Sequence, residues 1–178
     1  DTRLLETAAE LEKEVLSRVA VAAYCTAQDR AAATTRMPSA APRLMVVPNG
    51  VDTECCASVY PDQVPSRRKA IGLESRVVIF TGAPHRPNFE ATDWIVRELA
   101  PAFPQIIFAV IGMHPAPYLE SGGREPGANV VFTGSIPEPV KDAIFSLAEI
   151  ALAPMKSGTG SSLKVPEYVM HGKVVIAT

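Results

Sequence analysis

The segment Arg76-Val77-Val78-Ile79-Phe80-Thr81 is a continuous apolar run, rich in β-branched residues, that ends at Gly82. Such a run predicts a strand covered on both faces, because a strand with one wet face would alternate apolar and polar residues. Similar runs follow, separated by segments with helical patterns. They predict strands at residues 105–112, 129–133, 150–153 and 173–177, and helices at 88–99, 139–147 and 161–171. Repeated strand–helix units predict a doubly wound, Rossmann-like α/β domain whose parallel sheet carries helices on both faces.

The chain before this domain has shorter elements. Its apolar spacing predicts helices at 3–18 and 27–35 and strands at 19–26 and 44–47. The residues Pro48-Asn49-Gly50 then predict a turn. The segment 60–69 is rich in proline and charge, and we interpret it as a link to the downstream domain.

The composition limits the classes of function. The 178 residues include 17 basic and 19 acidic side chains, and this balance excludes a general nucleic-acid binder, which needs a basic surface. The cysteines form no CxxC pair, which predicts reduced thiols in a cytoplasmic protein. The histidines show no metal-ligand spacing, and we therefore expect no metal site.

Three loops follow predicted strands and are the candidate ligand-binding segments, because open α/β sheets bind ligands at the carboxyl ends of their strands. The first loop, residues 81–88, contains Gly82 and Arg86. The second, residues 133–138, contains Gly134, Ser135 and Ile136. The third, residues 157–164, is small and polar and opens onto a predicted helix.

The third loop predicts an anion site. The glycines Gly158 and Gly160, on either side of Thr159, would let a ligand approach the backbone. The amides of Ser161, Ser162 and Leu163 would point at the ligand from the predicted helix start, and Thr159 and Gly160 are counted with them as donor-binding residues. Such a site favours a diphosphate.

Two side chains of the predicted helix would complete this site. Lys164 would add a positive charge near the phosphates, and Glu167, one turn later, would accept hydrogen bonds from ribose hydroxyls.

Each of these features also has a purely structural interpretation. A Gly/Ser loop before a helix is often only an N-cap, and a Lys-x-x-Glu pair is often solvated surface. His85 and Arg86 are explained equally well as exposed loop residues. The dinucleotide fingerprint is incomplete, since Leu163 stands where its third glycine belongs, and no Walker motif or Ser-His-Asp arrangement occurs.

The order of several short motifs resembles that of family 4 (group 1) glycosyltransferases of the GT-B fold. The motifs are VVPNGVD (46–52), FTG (80–82), PN (87–88), Trp94, VFTG (131–134), ALAP (151–154), GTGSSLK (158–164) with Glu167, and GKVVIAT (172–178). The resemblance implies a truncated GT-B C-terminal domain. Residues 1–47 would then be the remnant of the N-terminal, acceptor-binding domain, 48–52 the interdomain hinge, and 53–178 a partial nucleotide-sugar-binding domain. A chain truncated in this way is expected to be inactive alone.

The resemblance also implies the chemistry. The full-length enzyme would transfer a sugar from a nucleotide-diphosphate-sugar donor to an unknown acceptor, in polysaccharide, glycolipid or glycoside synthesis. Transfer would retain the anomeric configuration and need neither a metal nor a cofactor. Glu167 would hold the ribose, Lys164 and the amides of Ser161–Leu163 would meet the diphosphate, and the Gly134–Ile136 loop would flank the base. Peripheral association with the inner face of the membrane stays open.

The sequence departs from the family pattern at four positions. Thr159 stands in place of a common acidic residue, Ala83 and Asn88 in place of Arg and Lys, and Ser162 in place of Arg. Lys164, helped by Arg86 or His85, is then the main cationic contact, and no catalytic residue is assigned. Two alternatives remain: a non-catalytic, nucleotide-binding or regulatory Rossmann-like module, and a nucleotide-sugar epimerase of the same fold.

Overall fold

The computed structural model describes residues 2–54, 58–113, 115–157 and 162–178. The chain divides into two compact units, one of Asp1–Gly50 with Thr159–Ser162 and one of Val51–Gly158 with Leu163–Thr178. The assignment of residues 1–47 to an acceptor domain and of 48–52 to a hinge stays a prediction. None of the helices within the described ranges is long and apolar enough to cross a membrane.

The first unit is small. Its elements are α1 (Thr2–Arg18), β1 (Ala22–Tyr24), α2 (Ala27–Arg36), a 3-10 turn (Pro38–Arg43) and β2 (Leu44–Val46), with β1 and β2 parallel. Thr26 caps α2 by accepting a hydrogen bond from the Asp29 amide at 3.0 Å. Leu16, Ala33 and Leu44 lie in its core. All four predicted elements are present, and both strands are shorter than predicted.

The second unit is built on a five-stranded parallel sheet with the order β5-β4-β3-β6-β7. The strands are β3 (Arg76–Thr81), β4 (Ile106–Ile111), β5 (Val130–Gly134), β6 (Ala148–Ala153) and β7 (Val174–Ala177). The chain enters at β3, moves outward through β4 and β5, and returns to β6 on the other side of β3. The strand order therefore reverses between β3 and β6, and such a reversal opens a crevice at the carboxyl ends of the two strands.

The helices of this unit are α3 (Val64–Ala70), α4 (Arg86–Trp94), α5 (Ala100–Ala102), α6 (Pro115–Glu120), α7 (Glu138–Ser146) and α8 (Lys164–Met170). A π-helical turn, Ile95–Leu99, joins α4 to α5.

Helices cover both faces of the sheet, as the sequence predicts. Val78 and Phe80 of β3 pack in one apolar cluster with Ile95. The intervening Ile79 packs in the other cluster with Phe145 of α7 and Tyr168 of α8. This alternation explains why the whole β3 run is apolar.

Three helix predictions were wrong for one physical reason, the position of proline. Residues 60–69 are not simply a link, because α3 begins at Val64 with Pro65 in its first turn. The helix α6, which begins at Pro115, was not predicted, and α4 begins at Arg86 instead of Asn88, with Pro87 inside it. Proline is favoured in the first turn of a helix, where its missing N–H would have no intrahelical partner.

Candidate functional site

Glycines line the carboxyl edge of the sheet. Gly82 and Gly112 directly follow β3 and β4, and Gly134 ends β5. The Gly82 amide donates to the Ile111 carbonyl at 3.0 Å, and the Gly112 amide donates to the Gly134 carbonyl at 3.1 Å. Gly112 has a φ of +119°, and a Cβ there would lie 2.2 Å from the Gly82 oxygen. Only glycine fits this close approach.

The sequence predicted Gly82 and Gly134 as site residues but missed Gly112. A signal was available, because Gly112 ends its apolar run as Gly82 ends the first.

Lys164 lies at the point where the strand order reverses. Its Nζ is 2.7 Å from Asn88 Oδ1 and 3.4 Å from Met155 Sδ, and it lies 4.3 Å from the centre of the Phe80 ring. Phe80 belongs to β3, Asn88 to the helix after β3, and Met155 to the loop after β6. The ammonium group therefore occupies the crevice that the topology predicts.

The surroundings of Lys164 disfavour its charge. Its partners Asn88, Met155 and Phe80 are all neutral, and burial lowers the pKa of Lys164 to about 8. Lys164 and Glu167 are partly buried and have different partners, which rules out the interpretation of a solvated Lys–Glu pair. Among the described residues no carboxylate pairs with Lys164, and a desolvated ammonium in such surroundings is suited to receive an anion.

Asn88, which the sequence reasoning placed in the first loop and in the PN motif without assigning it a contact, lies at the candidate site. Its side chain is buried at 8% exposure, and its Nδ2 donates to the Ala83 carbonyl at 2.9 Å. A Cβ on Gly82 would lie 2.9 Å from Asn88 Cγ, so Gly82 is needed for Asn88 to fit. Asn88 thus fixes the first loop and holds the ammonium of Lys164.

Glu167 lies one turn after Lys164 and forms an ion pair with a different lysine, Lys141. Lys141 Nζ of α7 lies 2.7 Å from Glu167 Oε1 and also forms an ion pair with Glu138. Burial lowers the pKa of Lys141, but hydrogen bonds to Glu138 and Glu167 outweigh this effect and raise it overall. The sequence reasoning did not single out Lys141.

The start of α8 differs from the prediction. The helix begins at Lys164, after Leu163 at the N-cap, and not near Ser161. The reason is Pro166, which fits the first turn of the observed helix but would clash with the carbonyl four residues earlier in a helix begun at Ser161. The predicted aim of the Ser162 amide from within the helix is therefore wrong.

The rest of the third loop is only partly described. Ser162 and Leu163 are exposed. The predicted contacts of Thr159, Gly160 and Ser161 lie outside the described residues.

Tyr168 anchors α8 to the sheet. Its hydroxyl accepts a hydrogen bond from the Thr81 amide at 2.7 Å and lies 2.9 Å from Thr81 Oγ1. The ring is fully buried, and this burial raises the pKa of the phenol. The helix that carries Lys164 and Glu167 is thereby fixed to the end of β3.

The remaining predicted residues are arranged less specifically. Arg86 is exposed and pairs with Glu90 on its own helix at 3.0 Å, as the structural interpretation of Arg86 expects. Ser135 is exposed, whereas Ile136 packs on the apolar cluster beneath α7 and α8. Within the described part of the chain, no three His, Cys, Asp or Glu side chains are arranged to hold a metal ion.

Comparison with known proteins places this geometry in a family. Residues 75–178 match the family described as "Glycosyl transferases group 1". A search of the curated proteins found no match.

Solved structures share the fold. The sucrose-phosphate synthase of Thermosynechococcus elongatus has a TM-score of 0.74 at 22% identity, over 97% of this chain and 44% of that one. HepE from Anabaena, in complex with UDP-glucose, has a TM-score of 0.68 at 16% identity, over 96% of this chain and 48% of HepE. S. aureus TarM, in a complex with UDP, has a TM-score of 0.65 at 13% identity, over 93% of this chain and 32% of TarM.

The chain thus spans less than half the length of these three structures. The family match covers more than half of the chain and includes Lys164, Glu167 and all five strands of the larger sheet. This chain belongs to the group 1 glycosyltransferases, and its five-stranded unit has a fold similar to that of GT-B C-terminal domains.

Proposed function

We propose that the chain forms the donor-binding part of a glycosyltransferase that uses a nucleotide-diphosphate sugar. The proposal rests above all on Lys164, whose ammonium lies at the reversal point of the sheet with neutral partners. A diphosphate at this edge would supply the counter-charge that the described partners of Lys164 do not provide. Of the three glycines, Gly134 is the one where an added Cβ would meet no described atom within 4 Å, so a ligand can approach the backbone closely there.

Glu167 suits the ribose of the same nucleotide. It lies one helical turn from Lys164, and a carboxylate can accept hydrogen bonds from two neighbouring hydroxyls. The loop Gly134-Ser135-Ile136 begins at the end of β5, two strands away from β3 in the sheet, and is assigned to the base. The complexes of HepE with UDP-glucose and of TarM with UDP support a nucleotide-sugar donor for this fold.

The diphosphate contact depends here on side chains and not on the end of a helix. The helix α8 is only seven residues long, and Pro166 removes one amide donor from its first turn. Lys164 therefore carries the neutralisation of the leaving diphosphate. Transfer with retention, without a metal or cofactor, is part of the proposal by resemblance to the family.

The acceptor and the place of action are also proposals. The acceptor would be a growing polysaccharide, a glycolipid or a small glycoside, met in the cytoplasm or at the inner face of the membrane. Transfer requires donor and acceptor to be held together between two domains. Since the chain spans less than half of the compared structures, we expect it to bind nucleotide but to catalyse little or no transfer alone.

Calorimetric titration of the chain with UDP, GDP and ADP tests the proposal. At least one nucleotide should bind, and Lys164→Ala should weaken its binding about 10-fold or more, since a hydrogen bond to a charged group is removed. Glu167→Ala should also weaken it, whereas Lys69→Ala, on an exposed lysine of α3, should not. Absence of binding by all three nucleotides, or equal binding by the site variants, would refute the proposal.

A further inference from the structure

Lys141 connects two parts of the candidate nucleotide site. It lies on α7, the helix that follows the Gly134-Ser135-Ile136 loop, and its Nζ reaches Glu167 Oε1 on α8 at 2.7 Å. The two residues are 26 positions apart in sequence, so the contact is tertiary and not a pairing within one helix. The contact therefore links the helix that follows the loop assigned to the base with the carboxylate assigned to the ribose.

This ion pair is sheltered from solvent. The side chains of Lys141 and Glu167 are 18% and 27% exposed, whereas Glu138, the other partner of Lys141, is 67% exposed. Lys141 Nζ also lies 5.9 Å from the centre of the Phe145 ring, which is fully buried. Sheltered pairs are screened less than exposed ones, so the Lys141–Glu167 contact should hold its geometry better than the Lys141–Glu138 contact.

We propose that Lys141 is a positioning residue that sets ribose recognition by Glu167. The inference rests on the proposed function, because it takes the ribose as the ligand of Glu167. A glutamate on a helix has three rotatable side-chain bonds, and a fixed lysine at one carboxylate oxygen removes much of that freedom. A carboxylate held in one orientation presents its remaining acceptor sites to the two adjacent ribose hydroxyls at a lower entropic cost.

The consequence concerns selectivity more than overall affinity. Lys164, which is assigned to the diphosphate, is held by Asn88 and Met155 and not by Lys141. Loss of Lys141 should therefore reduce the preference for a ribonucleotide over its deoxy form, while the diphosphate part of the binding energy remains. This separates a positioning role from a general electrostatic one.

The experiment measures Kd values of the chain for the nucleoside diphosphate that binds best, for its 2′-deoxy and 3′-deoxy forms, and for inorganic pyrophosphate. The wild-type chain should prefer the ribonucleotide about 10-fold or more. Lys141→Met and Lys141→Gln should reduce this preference to about 2-fold, because the contacts with the ribose hydroxyls are loosened. The affinity for pyrophosphate should change less than about 2-fold, because pyrophosphate has no hydroxyl for Glu167 to bind. Lys141→Arg should restore most of the preference, because it keeps a charged donor for Glu167.

Glu138→Gln is the matched control, since it removes the exposed carboxylate from Lys141 and leaves the pair with Glu167; it should keep the wild-type preference. An unchanged preference in Lys141→Gln, or an equal loss of binding for pyrophosphate and all nucleotides, would overturn the inference alone. A wild-type chain that does not distinguish ribo from deoxy forms would overturn this inference and the assignment of the ribose to Glu167, but not the diphosphate contact of Lys164. A chain that binds none of the nucleotides overturns both this inference and the proposed function.

Discussion

Lys164 Nζ lies 2.7 Å from Asn88 Oδ1, across 76 positions of sequence and at the reversal point of the strand order. The amide oxygen of Asn88 orients the ammonium without neutralising it. In the proposed function the charge of Lys164 meets a ligand, and nucleotide binding then depends on the protonation of this one lysine.

Nucleotide binding should weaken as the pH rises through about 8. Burial lowers the pKa of Lys164 to about 8, so the free protein loses the ammonium charge above that pH, and the diphosphate loses its partner. Affinity should fall by up to about 10-fold per pH unit between pH 8 and 9.5, with proton uptake on binding. Calorimetry across this range, repeated in two buffers of different ionisation enthalpy, measures both effects. The terminal phosphate, with a pKa of about 6, is fully ionised there.

Lys164→Arg serves as the control for this titration, because a guanidinium group stays charged throughout the range. Its affinity should be nearly independent of pH between 8 and 9.5. A wild-type affinity that is equally flat would contradict the combination of a lowered pKa of Lys164 and its contact with the ligand.

Gly112→Ala should destabilise the carboxyl edge of the sheet. The new Cβ would lie 2.2 Å from the Gly82 carbonyl oxygen, in addition to the strain of alanine at a φ of +119°. Gly72→Ala is the matched control, since Gly72 has a φ of +73° but a methyl group added there would meet no atom within 4 Å. Urea unfolding should show a loss of about 1 kcal/mol for Gly72→Ala and at least about 2 kcal/mol more for Gly112→Ala. Similar losses would mean that the close approach of the two strand ends is not required.

Tyr168→Phe should loosen α8 from β3. The substitution removes the hydroxyl that accepts a hydrogen bond from the Thr81 amide and contacts Thr81 Oγ1. The loss in unfolding free energy should be about 1–3 kcal/mol, because a buried donor is left without its partner. Nucleotide affinity should fall too, since α8 carries Lys164 and Glu167. Tyr60→Phe is the control, at a tyrosine that is 57% exposed, and should change neither the unfolding free energy nor the nucleotide affinity. A Tyr168→Phe protein as stable as the Tyr60→Phe protein would contradict the anchoring role of Tyr168.

Stability should decrease in mild acid through His171. Burial lowers the pKa of His171 below its usual 6.5, against the opposing effect of Asp142. The unfolded chain then binds more protons than the folded one below pH 6.5, so the free energy of unfolding falls as the pH drops, by at most about 1.4 kcal/mol per unit for this group. Urea titrations at several pH values between 5 and 7.5 measure the slope. His171→Phe should reduce the slope, and an unchanged slope would assign the acid sensitivity to other groups.

The sheet could be predicted from the sequence because its signal is local. Each strand of the second unit is a mainly apolar run closed by a glycine, a proline or a polar residue, and all five lie within about two residues of their predicted bounds. The helices α3 and α6 were missed, and α8 was started too early. In each case the position of proline within the first turn, at Pro65, Pro115 or Pro166, decided where the helix begins.

The candidate site was predictable only in part. The rule that ligands meet the strand ends identified Gly82, Gly134 and Lys164, because it needs no knowledge of side-chain contacts. Asn88 and Lys141 were missed because their roles arise from contacts across 76 and 26 positions of sequence. The PN motif marks Asn88 but not its contact, and no local pattern distinguishes Lys141 from an ordinary helix residue, whereas the folded chain brings each to a charged partner.

A crystal structure of the chain with the nucleoside diphosphate that binds most tightly tests the central claim most directly. The proposed site predicts a phosphate oxygen about 3 Å from Lys164 Nζ and ribose hydroxyls within hydrogen-bonding distance of Glu167. A nucleotide bound away from the carboxyl ends of β3 and β6, with Lys164 bonded only to Asn88, would contradict it.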